Sequence, residues 1–557
     1  MGKSQRKIFD DEVTALQQEA VDSEFGGNAL PFRLEDFTGV ATFRGKPIFN
    51  NDQVIAQLDT GRSINTSSGT ITFGFLDGPT ATGLYNNPRY QGNFTQGFGY
   101  QEFNAAQKAA ARQTMVLWDD LIAPSIVEKT GNGVDIQFAS DVNTPAGFAY
   151  YPGDGFKFQS DVWVAAPEVN WVSNWLQYGS YGMSTLVHEA GHALGLSHPG
   201  NYDASNDSDG DGNPDPITYQ NDAFYAQDSQ QYTIMSYFNA QNTGGLIVNG
   251  AILQLANPDT PLLHDILAIQ AKYGADPTTR VGDTAYFSNA NAGNGVYDLA
   301  QNPYPYLSVY DAGGEDVFDF SSANRSVFID LRPGSFSSAA LGSLSLELAN
   351  SFVADFNAAT DNVLQPDFRF WTSQAQLDGF AASIGSQVAQ RLFGDTGVGG
   401  LTAVAHRNIS IAYNTIIENA NGGSARDYLV GNAVANKLNG NDGNDVLNGL
   451  GGDDLLTGGN GADEFRFTDG SGNDRIADFA SGVDKINLAE VDADTGVAGN
   501  QAFAFIGGAA FGNVAGQLRS YSEGGENFLA GDVNGDGLAD FTINLGSGAA
   551  VVADLFL

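Results

Sequence analysis

The 557-residue chain has no cysteine, few basic residues and no long apolar run. Without cysteine there is no disulfide framework, no thiolate metal site and no cysteine nucleophile. Lysine and arginine number 25 against 65 acidic residues, and the resulting net charge of −40 argues against nucleic acid or an anionic membrane surface as a partner. No apolar run reaches the length of a transmembrane helix, so we expect no membrane insertion. The acidic balance instead favours the binding of cations.

Histidine is also scarce, yet three of the 5 histidines fall within the segment HEAGHALGLSH. On a predicted helix, His188 and His192 lie one turn apart on the same face and can bind one ion. Gly195 permits a left-handed turn that ends the helix and brings His198 back as a third ligand. Three imidazoles leave a fourth position open, as in catalytic zinc sites, and Glu189 lies beside them as a general base. The alternative is a core helix that binds no metal.

Glycine is abundant, with 69 residues, and it clusters in a repeat near the C-terminus. Residues 422–466 divide into five units of nine, GGSARDYLV, GNAVANKLN, GNDGNDVLN, GLGGDDLLT and GGNGADEFR, each with an apolar eighth residue. The pattern is close to the calcium-binding repeat of parallel β-helices. Since successive strands go to opposite sheets, units 18 residues apart are expected to stack. The sixth positions are Asp427, Asn436, Asp445, Asp454 and Asp463.

Stacking places carboxylates about 4.8 Å apart, where they repel one another strongly. Several structural Ca²⁺ ions between them would remove that repulsion, because oxygen is the ligand that calcium prefers. The sequence therefore predicts an array that folds with calcium and is disordered without it. The alternative is a flexible Gly/Asp-rich linker.

A second motif, YTIMSYF, follows the histidines and places Met235 37 residues beyond His198. The histidine motif with a downstream Met-turn is the metzincin pattern. Together with the nonapeptide array, the chain resembles the serralysins, calcium-dependent zinc endopeptidases secreted by Gram-negative bacteria. The segments LSHPGNYDA, ILAIQAKYGAD, TTRVGDT, DAGGEDVFDFS and IIENANGGS are similar to serralysin segments in serralysin order. The resemblance covers about residues 100–335 and 405–557.

The resemblance implies an α+β metzincin catalytic domain followed by an all-β domain, a parallel β-roll or sandwich with calcium-binding nonapeptide repeats. Tyr237 would lie at the zinc and stabilise the oxyanion. An extended substrate would lie along an edge strand, for which Asp161–Val164 is the candidate. The implied calcium-binding residues before the array are Arg280, Gly282, Thr284, Asp311, Gly313, Gly314, Asp316 and Glu418. Those within it, besides the five sixth positions, are Gly423, Asn441, Gly443, Gly452, Gly459 and Gly461.

Three segments depart from the family pattern or fit two interpretations. About 65 residues, 337–401, are inserted; Gln376–Phe393 has helical spacing, with Gly394 after it, and the insertion is a lid, a docking surface or decoration. Asp207–Asp215 resembles the start of an EF-hand loop, but Thr218 stands where Glu is needed, so it is a calcium loop or a solvated acidic turn. Asp532–Asp540 is likewise a calcium loop or a tight turn.

These observations predict a leader or propeptide of a zymogen over residues 1–25, a zinc protease domain over 26–277 and a calcium-binding domain over 278–557. The last residues, VVADLFL, resemble a type I secretion signal; a frayed strand end is the alternative. We therefore expect a monomeric, secreted, extracellular zinc endopeptidase that contacts protein or peptide substrates and the type I secretion apparatus. The competing hypotheses are an inactive calcium-stabilised surface or adhesion protein and an intracellular calcium buffer.

Overall fold

The computed structural model describes residues 42–77, 99–131, 133–144, 146–153, 160–170, 174–202, 216–360 and 369–557. The expected leader and the acidic loop Asp207–Asp215 lie outside these residues. Within the part of the chain that is described, no helix is long and apolar enough to cross a membrane.

The N-terminal half is built on one twisted sheet and several helices. Its described strands are β1 (Thr42–Phe43), β2 (Lys46–Pro47), β3 (Thr70–Phe75), β4 (Tyr100–Gln101), β5 (Ser125–Glu128), β6 (Ile136–Asp141), β7 (Gly147–Ala149), β8 (Ser160–Ala165), β9 (Val248–Asn249) and β10 (Gln254–Leu255). The main sheet has the order β5-β3-β6-β8-β7, and β4 also pairs with β6. Strands β3, β5, β6 and β8 are parallel, whereas β7 runs antiparallel to β8.

The edge strand of this sheet is β7, so the expectation that Asp161–Val164 forms the edge is wrong. Val162 of β8 has Phe138 of β6 on one side and Ala149 of β7 on the other. A strand with two neighbours has used its backbone hydrogen-bonding groups and has none left for a substrate. The alternation of polar and apolar residues in Asp161–Val164 predicts a strand half exposed to solvent, but all six residues of β8 are buried.

The helices of this half are α1 (Asn51–Leu58), α2 (Ala105–Asp119), α3 (Tyr181–Ala193), α4 (Tyr219–Asp222) and α5 (Leu263–Tyr273). Apolar residues at helical spacing predict helices over Asn104–Leu121 and Leu262–Tyr273, the second capped by Gly274, and α2 and α5 confirm both helices. A capping box begins α2: the Asn104 side chain accepts a hydrogen bond from the Gln107 amide, and the Gln107 side chain accepts one from the Asn104 amide. Gly274, with a φ of +80°, ends α5 as predicted.

The C-terminal half is dominated by two sheets that form a β-roll. Its strands are β11 (Ala285–Phe287), β12 (Leu307–Val309), β13 (Val317–Asp319), β14 (Phe328–Asp330), β15 (Phe336–Ser337), β16 (Ile409–Ile411), β17 (Asn419–Asn421), β18 (Tyr428–Asn432), β19 (Lys437–Asn439), β20 (Val446–Leu450), β21 (Leu455–Thr457), β22 (Glu464–Thr468), β23 (Asn473–Ile476), β24 (Lys485–Glu490), β25 (Ala504–Phe505), β26 (Gln517–Glu523), β27 (Glu526–Asp532), β28 (Phe541–Asn544) and β29 (Leu555–Phe556). One sheet has the order β11-β13-β17-β19-β21-β23-β28-β27-β26-β25, and the other β14-β18-β20-β22-β24-β29. Strands β12, β16 and β15 form a third, small sheet.

The register of the roll confirms the predicted stacking of units 18 residues apart. In one sheet Leu429 lies opposite Leu447, which lies opposite Phe465, and in the other Leu438 lies opposite Leu456. All five side chains are buried between the sheets. The apolar eighth residue of each unit therefore builds the core, and the Gly-rich remainder forms the turns.

The insertion contains two helices, α6 (Leu346–Thr360) and α7 (Gln374–Thr396). The helix expected over Gln376–Phe393 is confirmed, but Gly394 does not end it. The helix continues to Thr396, and Gly397, with a φ of +68°, follows as its cap. A glycine inside a helix costs about 1 kcal/mol relative to alanine, and the burial of α7 offsets such a cost.

The insertion packs against both halves of the chain. Phe356 of α6 contacts Trp175 of the N-terminal half, with ring centroids 5.1 Å apart. Val388 of α7 belongs to one buried apolar cluster with Val248 of the N-terminal half and Val430 of the roll. The two inserted helices thus form a strut between the protease domain and the roll.

A buried ion-pair cluster fixes the end of this strut. The Arg407 guanidinium and the His406 Nε2 both lie 2.7 Å from the carboxylate of Asp395 in α7. His406 Nδ1 donates a hydrogen bond of 2.7 Å to the Gly244 carbonyl in the N-terminal half. Because these side chains are almost fully buried, the pairing is sheltered from solvent.

Candidate active site

Helix α3 and the turn after it bring the three predicted histidines together. His188 and His192 lie one turn apart on α3, and the turn at Gly195 returns the chain so that His198 faces them. The Nε2 of His198 lies 3.3 Å from the Nε2 of His188 and 3.0 Å from the Nε2 of His192. Gly195 has a φ of +98°, and a side chain there would meet the Arg62 carbonyl at 2.3 Å, so only glycine fits this turn.

Hydrogen bonds to backbone carbonyls fix the tautomer of two of these rings. His188 Nδ1 donates to the Ile234 carbonyl and His192 Nδ1 to the Leu196 carbonyl, both at 2.8 Å. A carbonyl can only accept, so each Nδ1 carries the proton and each Nε2 presents a lone pair. The rings are therefore oriented as metal ligands are in proteins.

The cluster has the geometry and the charge state that zinc requires. Zinc–nitrogen bonds of about 2.0–2.1 Å at tetrahedral angles separate the ligand nitrogens by roughly 3.3 Å, close to the observed distances. Burial lowers the pKa of His188 to about 4, and burial with the neighbouring imidazoles lowers the pKa of His192 well below its usual value, which keeps both rings neutral. Within the described ranges, this is the single group of three His, Asp or Glu residues whose ligand atoms lie within 4.8 Å of one another.

Glu189 lies beside the histidines in a setting that suits a base activated by a cation. Its Oε2 is buried without a hydrogen-bond partner. Burial raises the pKa of Glu189 to about 8, so the ionised form needs a nearby positive charge. A dication held by the three histidines would supply that charge.

The edge strand β7 passes directly over Glu189. A side chain at Gly147 would approach the Glu189 Oε1 and the Thr185 Cγ2 to 2.8 Å. Among the residues that the structure describes, no strand lies on the outer edge of β7, so its backbone can pair with an extended chain. The site is therefore a cleft between an available strand edge and the histidine helix.

The segment 233–237 supplies the floor and one wall of the site. Met235 is fully buried, and a side-chain carbon on Gly191 of α3 would meet its Sδ at 2.7 Å. The Tyr237 ring lies 4.5 Å from the His198 ring and 6.1 Å from the His188 ring, centroid to centroid, and is 38% exposed. These positions suit the predicted Met-turn and a phenol at the zinc.

One buried carboxylate that sequence reasoning missed anchors this turn. Asp265 at the start of α5 accepts hydrogen bonds from the Thr233 hydroxyl at 2.5 Å, the Ile234 amide at 2.7 Å and the Leu262 amide at 2.8 Å. The Ile234 carbonyl in turn accepts the proton of His188 Nδ1. No sequence pattern pointed to Asp265, because the contact joins segments about 30 residues apart.

The residues expected to bind calcium before the array converge at the first turns of the roll. The Asp316 amide donates to Glu418 Oε2 at 2.8 Å, and the Thr284 amide donates to Asp316 Oδ1 at 2.8 Å. Asp311 accepts from the Gly313 amide at 2.9 Å and from the Tyr286 hydroxyl at 2.6 Å. The second oxygen of Asp316 is buried without a partner, as a cation ligand would be.

Two further residues of this set, Gly282 and Gly314, lie close together, whereas the Arg280 side chain binds residues outside the set. A side-chain carbon on Gly314 would meet the Gly282 carbonyl at 2.7 Å. The Arg280 guanidinium donates to the Asp120 carboxylate at 2.5 Å and to the Tyr310 carbonyl at 2.6 Å. Its side chain therefore tethers the two domains and is not available to a cation.

Within the array, the predicted sixth-position side chains form a continuous ladder. Asp427 Oδ1 accepts from the Val327 amide, Asp445 Oδ1 from the Asp427 amide and Asp463 Oδ1 from the Asp445 amide, at 2.7–2.9 Å. On the other side, Asp454 Oδ1 accepts from the Asn436 amide at 2.8 Å. Each rung contributes at most one carboxylate, and Asn436 contributes none, so a cation between rungs needs backbone carbonyls as well.

The carbonyl ligands can come from the turns at the predicted glycines. Gly443, Gly452, Gly459 and Gly461 all have positive φ, and Gly423 donates to the Asp427 carboxylate at 2.5 Å. Asn441, also at positive φ, donates to the Gly422 carbonyl at 2.7 Å. The second oxygens of Asp445 and Asp454 are buried and have no hydrogen-bond partner, as cation ligands would be.

The ladder continues past the last predicted unit. Asp474 Oδ1 accepts from the Asp454 amide at 2.9 Å, and Asp484 Oδ1 accepts from the Asp463 amide at 3.1 Å. Sequence reasoning missed both residues, because the step grows from 18 residues to 20 and 21. A search that allowed one longer turn per unit would have found them.

Comparison with known proteins agrees with this geometry. The family model described as peptidase M10 serralysin C terminal matches residues 275–349 and 354–557, and the M43 peptidase model described as pregnancy-associated plasma protein-A matches residues 132–248. Metallopeptidase AprA of Pseudomonas marginalis is 34% identical over 94% of each chain. Metalloprotease AprA of Pseudomonas entomophila is 34% identical over the whole of both chains. Serralysin G of Dickeya chrysanthemi is 34% identical over 80% of this chain and 78% of its own.

Proposed function

Because the chain belongs to the serralysin family of zinc metalloendopeptidases, we propose that it cleaves proteins at the three-histidine centre with Glu189 as the general base. One observation supports this most strongly: Glu189 lies between three converging imidazole nitrogens and an available strand edge. No feature of the described site favours the inactive adhesion-protein alternative, since the ligands, Glu189 and Tyr237 are all in place.

The substrate is an unfolded or flexible protein segment. Its backbone pairs with the outer edge of β7, as an added strand does, and this pairing lays the scissile peptide across Glu189. Zinc, when bound by His188, His192 and His198, acidifies water and polarises the peptide carbonyl. Glu189 accepts the proton of the attacking water and passes it to the leaving amine. The Tyr237 hydroxyl donates a hydrogen bond to the oxyanion.

The roll serves the protease as a calcium-dependent support. The buried, unpaired oxygens of Asp316, Asp445 and Asp454 support calcium binding, and the strut and the Arg280 tether connect the roll to the protease domain. The chain acts outside the cell as a monomer and leaves by type I secretion. The similarity of Val551–Leu557 to that signal supports this route; β29 within it pairs with β24.

The test of the central role is Glu189→Ala with Glu168→Ala as the matched control. Glu189→Ala is expected to retain one zinc per chain and to lose casein hydrolysis, because general-base catalysis contributes about 10²–10⁴-fold. Glu168 is an exposed glutamate away from the histidines, and its substitution is expected to leave turnover unchanged. Casein clearing by the zinc-loaded Glu189→Ala protein at the wild-type rate would contradict the proposed mechanism.

A further inference from the structure

A second buried carboxylate, Asp228, lies behind the histidine centre and contacts none of the three histidines directly. It is fully buried. Its Oδ1 accepts two hydrogen bonds, from the Tyr202 hydroxyl at 2.8 Å and from the Ser236 hydroxyl at 2.7 Å. One oxygen atom therefore joins two segments that flank the site from different parts of the chain.

The first segment supports the third zinc ligand. The Tyr202 ring stacks on the His198 ring, with centroids 5.6 Å apart and planes 20° apart. His198 follows the helix and lies on an irregular segment, so α3 does not hold its ring as it holds those of His188 and His192. The Tyr202 hydroxyl bond to Asp228 fixes the plane against which His198 rests.

The second segment carries the tyrosine that faces the oxyanion. Ser236 precedes Tyr237, and its Oγ, besides donating to Asp228, accepts a hydrogen bond of 3.1 Å from the Phe238 amide. The backbone is thereby fixed on both sides of Tyr237. The Tyr237 ring also lies 5.1 Å from the Tyr202 ring, so the two segments meet at the site.

We propose that Asp228 is a positioning residue that acts through Tyr202 on the zinc ligand His198 and through Ser236 on Tyr237. This role rests on the proposed function, but its zinc-binding part is measurable without turnover. A carboxylate suits it because hydrogen bonds to a charged acceptor are about twice as strong as neutral ones. Because Tyr202 and Ser236 are buried, water cannot replace Asp228 as the hydrogen-bond partner of either hydroxyl.

Tyr202→Phe and Ser236→Ala test separately the effect of Asp228 on His198 and its effect on Tyr237. Tyr202→Phe keeps the ring but frees its plane, so we expect zinc affinity, measured by competition with a chelator, to fall about 10-fold, with kcat of the zinc-saturated enzyme nearly unchanged. Ser236→Ala loosens Tyr237, so we expect kcat on a fluorogenic peptide to fall about 10-fold with KM and zinc affinity unchanged. Asp228→Ala is expected to show both losses.

Coupling between these substitutions gives the decisive readout. If Asp228 acts through both hydroxyls, adding Asp228→Ala to the Tyr202→Phe, Ser236→Ala double variant changes zinc affinity and kcat no further. Asp228→Asn keeps an acceptor oxygen of the same shape and is expected to recover part of both losses. Asp228→Asn also provides the test if the Asp228→Ala protein fails to fold.

Asp259→Asn is the control that distinguishes positioning by Asp228 from a contribution to stability alone. Asp259 is also a fully buried carboxylate. It accepts hydrogen bonds from the Gly179 and Tyr306 amides and from the Asn302 side chain, and neither His198 nor Tyr237 is among these partners. We expect it to lower the melting temperature without changing zinc affinity or kcat. If Asp228→Asn and Asp228→Ala do only the same, the positioning role is wrong. The two proposals can fail separately. If the Tyr202 and Asp228 variants lose zinc affinity as expected while Glu189→Ala remains active, the proposed mechanism is wrong and the positioning of His198 is supported.

Discussion

Replacing Asp445 with asparagine is expected to have opposite effects on the roll with and without calcium. Asp445 is fully buried in the middle of the ladder, between Asp427 and Asp463. Its Oδ1 accepts a backbone hydrogen bond that asparagine can keep, and its Oδ2 has no partner. Asn436 already occupies the equivalent position of another unit, where its side chain accepts from the Asn432 amide and donates to the Glu418 carbonyl, so an asparagine fits the ladder.

The magnitude follows from the spacing and the burial. Two ionised carboxylates about 4.8 Å apart repel by roughly 3.5 kcal/mol at an effective dielectric constant of about 20, and Asp445 has two such neighbours. The side chain avoids most of this cost by binding a proton, since burial and the neighbours raise the pKa of Asp445 to about 8. A raised carboxyl pKa means that the calcium-free fold loses stability as the pH rises from about 4 to about 8. Asp445→Asn removes that loss, a stabilisation on the order of 2 kcal/mol or more at pH 8–9 and close to zero near pH 4.

The assay is thermal unfolding in a calcium chelator and in excess calcium, at pH 5 and pH 8.5. In the chelator at pH 8.5 we expect the wild-type roll to be largely unfolded and the variant to stay folded to a temperature about 5 °C or more higher, since 1 kcal/mol shifts a domain of this size by about 2–4 °C. In calcium it is expected to melt below the wild type, because a ligand is lost. Asp442→Asn in the same unit changes the same charge at an exposed position and is the control. A lower melting temperature of Asp445→Asn under every condition would refute the reasoning.

Two further substitutions test the site and the strut. Tyr237→Phe is expected to lower kcat about 10²–10³-fold with little change in KM or melting temperature, because the phenol acts on the oxyanion; unchanged kcat would contradict that role. Asp395→Asn leaves Arg407 and His406 without their buried carboxylate, so we expect the free energy of unfolding to fall by about 3 kcal/mol or more in chemical denaturation. Asp378→Asn, a change at a partly exposed position of the same helix, is the control, and equal effects of the two would show that the buried cluster adds no stability.

The sequence was sufficient for the parts of the molecule that repeat or lie close together in the chain. The 18-residue step predicted that Leu429, Leu447 and Phe465 stack, and the histidine spacing predicted that one helix and one turn bring three rings together. Both patterns depend on local geometry, a period of 3.6 on a helix and a fixed turn in a roll. Gly195 was predictable for the same reason, since its left-handed turn is a local requirement.

Other parts depend on contacts between distant segments and left no pattern. Strand β7 has only three residues, too few for a period, and the family resemblance placed the edge at Asp161–Val164 instead. Asp228 and Asp265 act through partners 8–32 residues away that a spacing rule does not connect. The packing of the inserted helices against both domains likewise arises only when the domains fold together.

The most direct test of the account is the metal content of the purified, calcium-loaded protein alongside its peptidase activity. Elemental analysis is expected to find one zinc per chain. Treatment with 1,10-phenanthroline is expected to remove zinc and casein hydrolysis together, and added zinc to restore both. The variant His198→Ala is expected to bind zinc far more weakly. Full hydrolysis by a preparation that contains no transition metal would contradict the account.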